Sequence, residues 1–269
     1  MSYPRAKSAA VAGRKTGILP GPAGGRRRSP ALSWQDASDD LLRSALAPLG
    51  RALADHALGD ADAVVTVHVE GEPPEPLPAA YFLREPSAMG PVDRTALDLA
   101  RGRVLDVGAC AGAHALPLQR LGHEVTALEL LPEAVGVLRG RGVHDVVEGS
   151  VWSFRPRRPY DTVLALMNGT ALAGTLPRLE ALLARFRELL AADGQVLLDS
   201  TSLEDEDQEP CELHYQLEYG GQRGPPFPQL FLGERALARA ARDAGLSMEV
   251  VAREEERYLA CLRRASPTV

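Results

Sequence analysis

The chain opens on a polar, small-residue stretch, and its first periodic apolar pattern begins near residue 33. There Leu41, Leu42, Ala45, Leu46, Leu49 and Leu53 fall on one side of a helical projection. Pro48 and Gly50 lie inside that pattern and predict a split or kink. Over 63–71 the period changes to two: Val65, Val67 and Val69 alternate with Thr66, His68 and Glu70, which predicts a strand. The proline-rich EPPEPLP is expected to be a connector, leading through YFLREP to a helix over about 93–100.

From residue 101 apolar strands and amphipathic helices alternate. RVLDVG (103–108) ends in a glycine loop, and a helix is expected over 112–121. EVTALEL (124–130) precedes a short helix that starts at Pro132, a residue suited to a first turn. DVVEG (145–149), YDTVLALMN (160–168) and QVLLDST (195–201) are further strands, with a helix over 176–192 closed by Asp193-Gly194. This alternation predicts a mostly parallel sheet covered on both faces. The rhythm then breaks. An acidic run (204–209) leads to the alternating ELHYQLEYGG, a helix near 234–244, and two closing strands around a charged turn, which predict an antiparallel edge hairpin.

Composition narrows the class. The 269 residues are 45% hydrophobic and 25% charged, as in a globular domain with a sizeable core. Neither an apolar run long enough to span a membrane nor a secretory leader pattern is visible, and the three cysteines (Cys110, Cys211, Cys261) form no CxxC. A cytoplasmic protein without a metal site is expected. The net charge of −6 is uneven. Residues 1–30 carry seven basic residues and no acid, leaving 23 basic against 36 acidic residues elsewhere, a net −13. So acidic a body fits poorly against a phosphate backbone, which makes nucleic acid an unfavoured partner. The basic segment 1–32 is expected to be a disordered tail, with a nucleic-acid arm as the weaker alternative.

The stretch VLDVGACAGAHALPLQ carries the candidate chemistry. A dinucleotide loop needs G-x-G-x-x-G, and Asp106-Val-Gly108-Ala-Cys110-Ala-Gly112 lacks two of the three glycines. Its D-x-G-x-x-x-G spacing resembles instead the first motif of the class I S-adenosylmethionine-dependent methyltransferases. The resemblance extends over about 81–262, and the MNG and LLDS patterns are similar to those of a bacterial subgroup of these enzymes. It implies an α/β, Rossmann-like, doubly wound and mostly parallel seven-stranded sheet with an antiparallel C-terminal hairpin. An N-terminal helical and strand lid (33–100) would precede the methyltransferase domain (101–269), whose insertion at about 202–232 would cover the acceptor.

The same resemblance implies S-adenosyl-L-methionine as cofactor and a set of residues to hold it. Asp106 suits the cationic amino-acid end, although fixing its own loop backbone is an alternative. Glu129, closing the second strand, suits the ribose hydroxyls, with Leu130 beside it. Ser150 stands where family members often carry an aspartate for the adenine amino group, flanked by Val151 and Trp152. Gly108, Gly112 and Cys110 form the loop. Cys110 replaces a glycine and is expected to fit if its φ is negative, as a tolerated small residue and not a nucleophile. Met167 and Asn168 face the methionine end, with Asn168 also a catalytic candidate. Tyr81 and Arg84 in the lid are candidates to close over the cofactor, against the alternative of a packed aromatic and a surface arginine.

Among six histidines His214, in the inserted strand, is the best base candidate, against the alternative of a solvent-facing strand residue. Asp199 is second. The expected function is methyl transfer to O or N of a small molecule, in specialised metabolism, by a monomer or homodimer. A peptide, protein or RNA acceptor and a non-catalytic cofactor-binding scaffold are the alternatives.

Overall fold

In the computed structural model, residues 38–201 and 210–265 are described. The tail (1–32), the expected start of the first helix at Ser33 and the acidic run 204–209 lie outside them.

Helix α1 (Asp39–Ala57) leads to the strands β1 (Val64–Val69) and β2 (Glu75–Pro78). Two 3-10 turns (Ala79–Leu83 and Pro86–Ala88) and α2 (Pro91–Leu99) connect these to β3 (Arg103–Val107). Then follow α3 (Ala115–Arg120), β4 (Glu124–Glu129), α4 (Pro132–Gly140), β5 (Asp145–Glu148) and β6 (Tyr160–Ala165). A 3-10 turn (Gly169–Ala173), α5 (Leu176–Leu189) and β7 (Leu190–Thr201) complete the parallel part. β8 (Cys211–Tyr219), β9 (Gln222–Arg223) and β10 (Phe227–Phe231) precede α6 (Glu234–Asp243) and the hairpin β11 (Leu246–Glu254) and β12 (Arg257–Arg264).

The main sheet has seven strands in the order β11-β12-β7-β6-β3-β4-β5. β7, β6, β3, β4 and β5 run parallel, and β12 and β11 add antiparallel at one edge. The central strands are buried along nearly their whole length because helices cover both faces. One face packs Val163, Leu182, Phe186 and Tyr258, the other Val92, Val104, Leu116 and Leu118. Fully buried side chains such as Phe186 each contribute roughly 1.5–3 kcal/mol.

A second, antiparallel sheet joins what the chain separates. Its order is β10-β8-β1-β2, with β9 on β8. The strands of segment 33–100 and those after residue 210 therefore form one unit, stitched by pairs such as Val67 with Leu217 and Val69 with Tyr215. β2 lies within the expected proline connector. As an edge strand with a single partner it tolerates its two prolines.

Two boundaries differ from the sequence reading. α1 runs unbroken through Pro48, which is buried inside it. The backbone of Gly224 comes up against the carbonyls at that turn: a Cβ on Gly224 would lie 2.5 Å from Ala45 O and 3.0 Å from Ser44 O. Tertiary packing thus outweighs the local cost of the proline. α5 stops at Leu189, and Leu190 is already extended because it pairs with Tyr160 in the sheet.

Candidate functional site

The carboxyl ends of β3, β4, β5 and β6 open into a cavity of about 290 Å³, with α1 and the second sheet on its other side. A doubly wound sheet binds ligands at this end of its strands, where the strand order reverses. Here the reversal falls between β3 and β6, which flank the loop that follows β3.

The loop is built by unusual backbone. Gly108 (φ 72) and Gly112 (φ 84) occupy the left-handed region that glycine allows. Cys110 shares it at φ 51, so the negative φ expected for it is corrected. A non-glycine residue there stores strain of order 1 kcal/mol. The compensation is visible in Glu129, whose Oε2 accepts the Cys110 N–H at 2.8 Å. Its Oε1 accepts the N–H groups of Leu130 and Leu131, both at 2.8 Å. Burial, with the Glu129 charge next to it, pushes the Cys110 thiol well above its ordinary range.

Asp106, Gly108, Cys110, Glu129 and Leu130 line the first part of the cavity. Asp106 is 2% exposed, and its Oδ2 is buried without a hydrogen-bond partner. Burial raises its pKa, against the lowering influence of His114 and the Ala115 N–H. A buried carboxylate oxygen left bare is costly. Ser150, Val151 and Trp152 line the end beyond β5, and the guanidinium of Arg178 lies 4.5 Å over the Trp152 ring.

Met167 and Asn168 line the cavity after β6, both left-handed at φ 66 and φ 67. Asn168 is 3% exposed. Its amide donates to Gln229 Oε1 at 3.3 Å, and its Oδ1 accepts from the Thr170 hydroxyl at 3.2 Å. Gly169 donates its N–H to Asp199 Oδ1 at 2.9 Å. Two consecutive strained residues held by such a network are characteristic of a functional loop.

Five expected residues are placed elsewhere. Gly112 turns the loop behind the cavity, where a Cβ would come 3.0 Å from Leu138 Cδ2. Tyr81 and Arg84 are buried under the loop and do not line the cavity. Arg84 donates to Asp93 Oδ2 at 2.9 Å and stacks 4.2 Å over the Tyr81 ring, so its charge is already matched. His214 is exposed: β8 alternates, with Leu213, Tyr215 and Leu217 inward, and His214 takes the outer face. Asp199, the second base candidate, is fully buried, and its Oδ2 accepts Arg257 Nη2 at 2.7 Å.

Two features escaped the sequence. One is a buried charge network under the loop: Asp93 meets Arg84, His114 (3.2 Å) and Arg257 (3.4 Å), and Arg257 meets Asp199. Burial alone would raise Asp93, but His114, Arg257 and Arg84 together hold it well below the usual carboxylate range. These residues are separated by up to 164 positions, so no local spacing announces them. The other is the apolar far half of the cavity. Leu46 and Leu49 of α1, Phe82, and Leu217, Phe227 and Tyr215 of the second sheet form it. The alternation of β8 was legible, but not the partner strands that turn its inner face toward the loop.

Residues 82–251 match the family described as a methyltransferase domain. A crystal structure of a SAM-dependent methyltransferase from Bacteroides fragilis, in complex with S-adenosyl-L-homocysteine, is 32% identical. The match covers 83% of this chain and 97% of that one, with a TM-score of 0.76. The chain is a SAM-dependent methyltransferase.

The methyltransferase also shares its fold with CcbJ from Streptomyces caelestis, at 20% identity and a TM-score of 0.52 over 65% of this chain and 90% of that one. A stretch of 52 residues is 48% identical to the ubiquinone biosynthesis O-methyltransferase of Xanthomonas oryzae pv. oryzae. That stretch is 19% of this methyltransferase and 22% of the length of the relative. Among the described residues no helix is long and apolar enough to cross a membrane, and no group of three or more metal-ligating side chains is found.

Proposed function

We propose that this methyltransferase transfers a methyl group to O or N of a small, mostly apolar acceptor held in the far half of the cavity. One observation carries the reading. A single cavity runs from the bare Oδ2 of Asp106, past Glu129 and Ser150, to a chamber walled by α1 and the second sheet. When bound, S-adenosyl-L-methionine supplies a sulfonium methyl that an acceptor lone pair displaces in line.

The chain's own groups suit that ligand. Asp106 pairs with an ammonium, and Glu129, which has about four acceptor sites and gives three to backbone N–H groups, retains capacity for ribose hydroxyls. Ser150, Val151 and Trp152 are left for the base. Met167 and Asn168, fixed by Gln229, Thr170 and the Asp199 bond to Gly169, align the acceptor against the methyl, and such alignment is the main source of rate in a displacement. The far-half residues Leu46, Leu49, Phe82, Tyr215, Leu217 and Phe227 carry no charge, and the charged or titratable side chains of the whole lining besides Cys110 and tyrosine are Asp106, His114, Glu129 and Arg178. An acceptor bearing phosphate or several charges would meet no counter-ion there. A neutral amine needs no base before transfer, and an acidic hydroxyl arrives already ionised.

The test pairs calorimetry with turnover. S-adenosyl-L-homocysteine should bind the wild type and NAD should not. Labelled methyl from S-adenosyl-L-methionine should reach apolar phenols or aromatic amines in preference to sugars, peptides and RNA. Binding of NAD without S-adenosyl-L-homocysteine would overturn the reading. Tight cofactor binding with transfer only to a macromolecule would overturn its acceptor half.

A further inference from the structure

The first residue of α1 reaches across the cavity rim to the end of β5. Ser150 Oγ donates its hydrogen bond to Asp39 Oδ2 at 2.9 Å. Ser150 is 8% exposed and lines the cavity, whereas Asp39 stands half-buried behind it. The neighbouring Ser153 hydroxyl lies 3.2 Å from Ser150 Oγ and directs its proton to the Ser150 carbonyl at 3.4 Å. One turn further along α1, Arg43 fastens the helix to the same rim. Its Nε donates to Leu130 O at 3.1 Å, and its Nη2 lies 3.7 Å from Glu148. The position of Asp39 is therefore held from both strand ends.

A hydroxyl has one proton and two lone pairs. With its proton committed to a carboxylate, Ser150 can offer the cavity only lone pairs, and the charge behind it makes them stronger acceptors. The strand ends fix what faces it. Asp106 near the end of β3, Glu129 at the end of β4 and Ser150 just beyond β5 lie in order across adjacent parallel strands. A ligand whose ammonium meets Asp106 and whose ribose meets Glu129 lays its base at Ser150.

We propose that Asp39 orients and polarises Ser150 as an acceptor for the exocyclic amino group of adenine, so that the cap helix reads the base of the cofactor. Asp39 is a positioning residue in this scheme and acts through Ser150. The inference rests on the cofactor reading above.

Calorimetry on the full chain tests it with two ligands, S-adenosyl-L-homocysteine and its 6-oxo analogue S-inosyl-L-homocysteine. The wild type should prefer the amino compound by at least roughly tenfold, the scale of one such hydrogen bond. Asp39→Ala should weaken S-adenosyl-L-homocysteine by roughly tenfold and reduce the preference to within about threefold. Asp40→Ala removes an equal first-turn charge without touching Ser150; it frees Arg43 Nη1 but not the Arg43 contacts with Leu130 and Glu148, and should leave the preference unchanged. Ser150→Asp in the Asp39→Ala background should restore the preference, because the carboxylate then accepts directly. If Asp39→Ala does not fold, Ser150→Ala keeps the helix intact and should lose the preference equally. A tenfold preference surviving in Asp39→Ala or Ser150→Ala overturns the inference, as does a wild type that binds both ligands alike. Failure of the wild type to bind S-adenosyl-L-homocysteine at all overturns instead the cofactor reading beneath it.

Discussion

Glu129 and Cys110 meet across the ends of two adjacent strands, where the carboxylate Oε2 accepts the backbone N–H of Cys110 at 2.8 Å. The other oxygen holds Leu130 and Leu131. The carboxylate that faces the cavity is thus also the clasp of the loop. Glu129→Ala leaves one buried and two partly buried donors without their acceptor, which we expect to cost about 3 kcal/mol and to lower Tm by roughly 10 °C. Cofactor-product affinity should fall in the same variant by on the order of 10- to 1000-fold. A thermal melt unchanged from wild type would show that the clasp contributes nothing to stability.

Asp106 predicts a pH dependence of binding. Burial raises its pKa, so its folded value exceeds the unfolded value near 4. The sign follows: the folded state favours the protonated form, and stability from this group falls as pH rises from the unfolded value through the folded one. A ligand ammonium wants the ionised form. Affinity for S-adenosyl-L-homocysteine should therefore weaken on acidification through the raised pKa, at up to about tenfold per pH unit. Asp106→Asn should bind weakly at every pH and flatten the profile. Calorimetry between pH 5 and 8 measures both, and a steep profile in Asp106→Asn would assign it to another group.

Cys110 sits at φ 51, partly exposed where it lines the cavity, with its thiol pKa raised. Cys110→Gly removes the strain at the cost of some packing, so stability and cofactor affinity should stay close to wild type. Cys110→Val places a β-branched side chain where it is least tolerated and should weaken binding strongly. Because burial and the Glu129 charge suppress the thiolate, iodoacetamide at neutral pH should modify Cys110 slowly in the folded protein, as mass spectrometry can follow. Rapid labelling there would contradict the suppressed thiolate.

Arg257 ties the terminal hairpin to Asp199 and Asp93. Arg257→Met should cost about 3–5 kcal/mol at neutral pH, because it leaves buried carboxylates short of positive charge. Asp93 is held below its ordinary range, so the network's contribution is present above pH 4 and disappears as acid titrates it. The stability gap between variant and wild type should consequently stay nearly constant from pH 7.5 to pH 4.5 and narrow below pH 4 in denaturant unfolding. A gap that stays the same well below pH 4 would mean that packing and not charge is lost.

Local pattern was enough for much of this protein. The apolar runs at 103–107, 124–129, 160–165 and 195–201 have lengths and spacings that only a buried parallel sheet satisfies, and D-x-G-x-x-x-G needs glycines at two positive-φ positions. That Asp106, Glu129 and Ser150 line one cavity follows for the same reason: each lies at or next to the C-terminal end of a strand, and strand ends converge by topology. What escaped was set by contacts between distant segments. His214 and Tyr215 are chemically plausible neighbours in sequence, and only the pairing of β8 with β1 and β10 decides that the tyrosine faces the cavity. The union of Asp39 with Ser150, 111 residues apart, and of Arg257 with Asp93 carries no local signature. Periodicity reports which face of an element is apolar. Which other face it meets is settled by long-range packing, and here that packing built the apolar far half of the cavity.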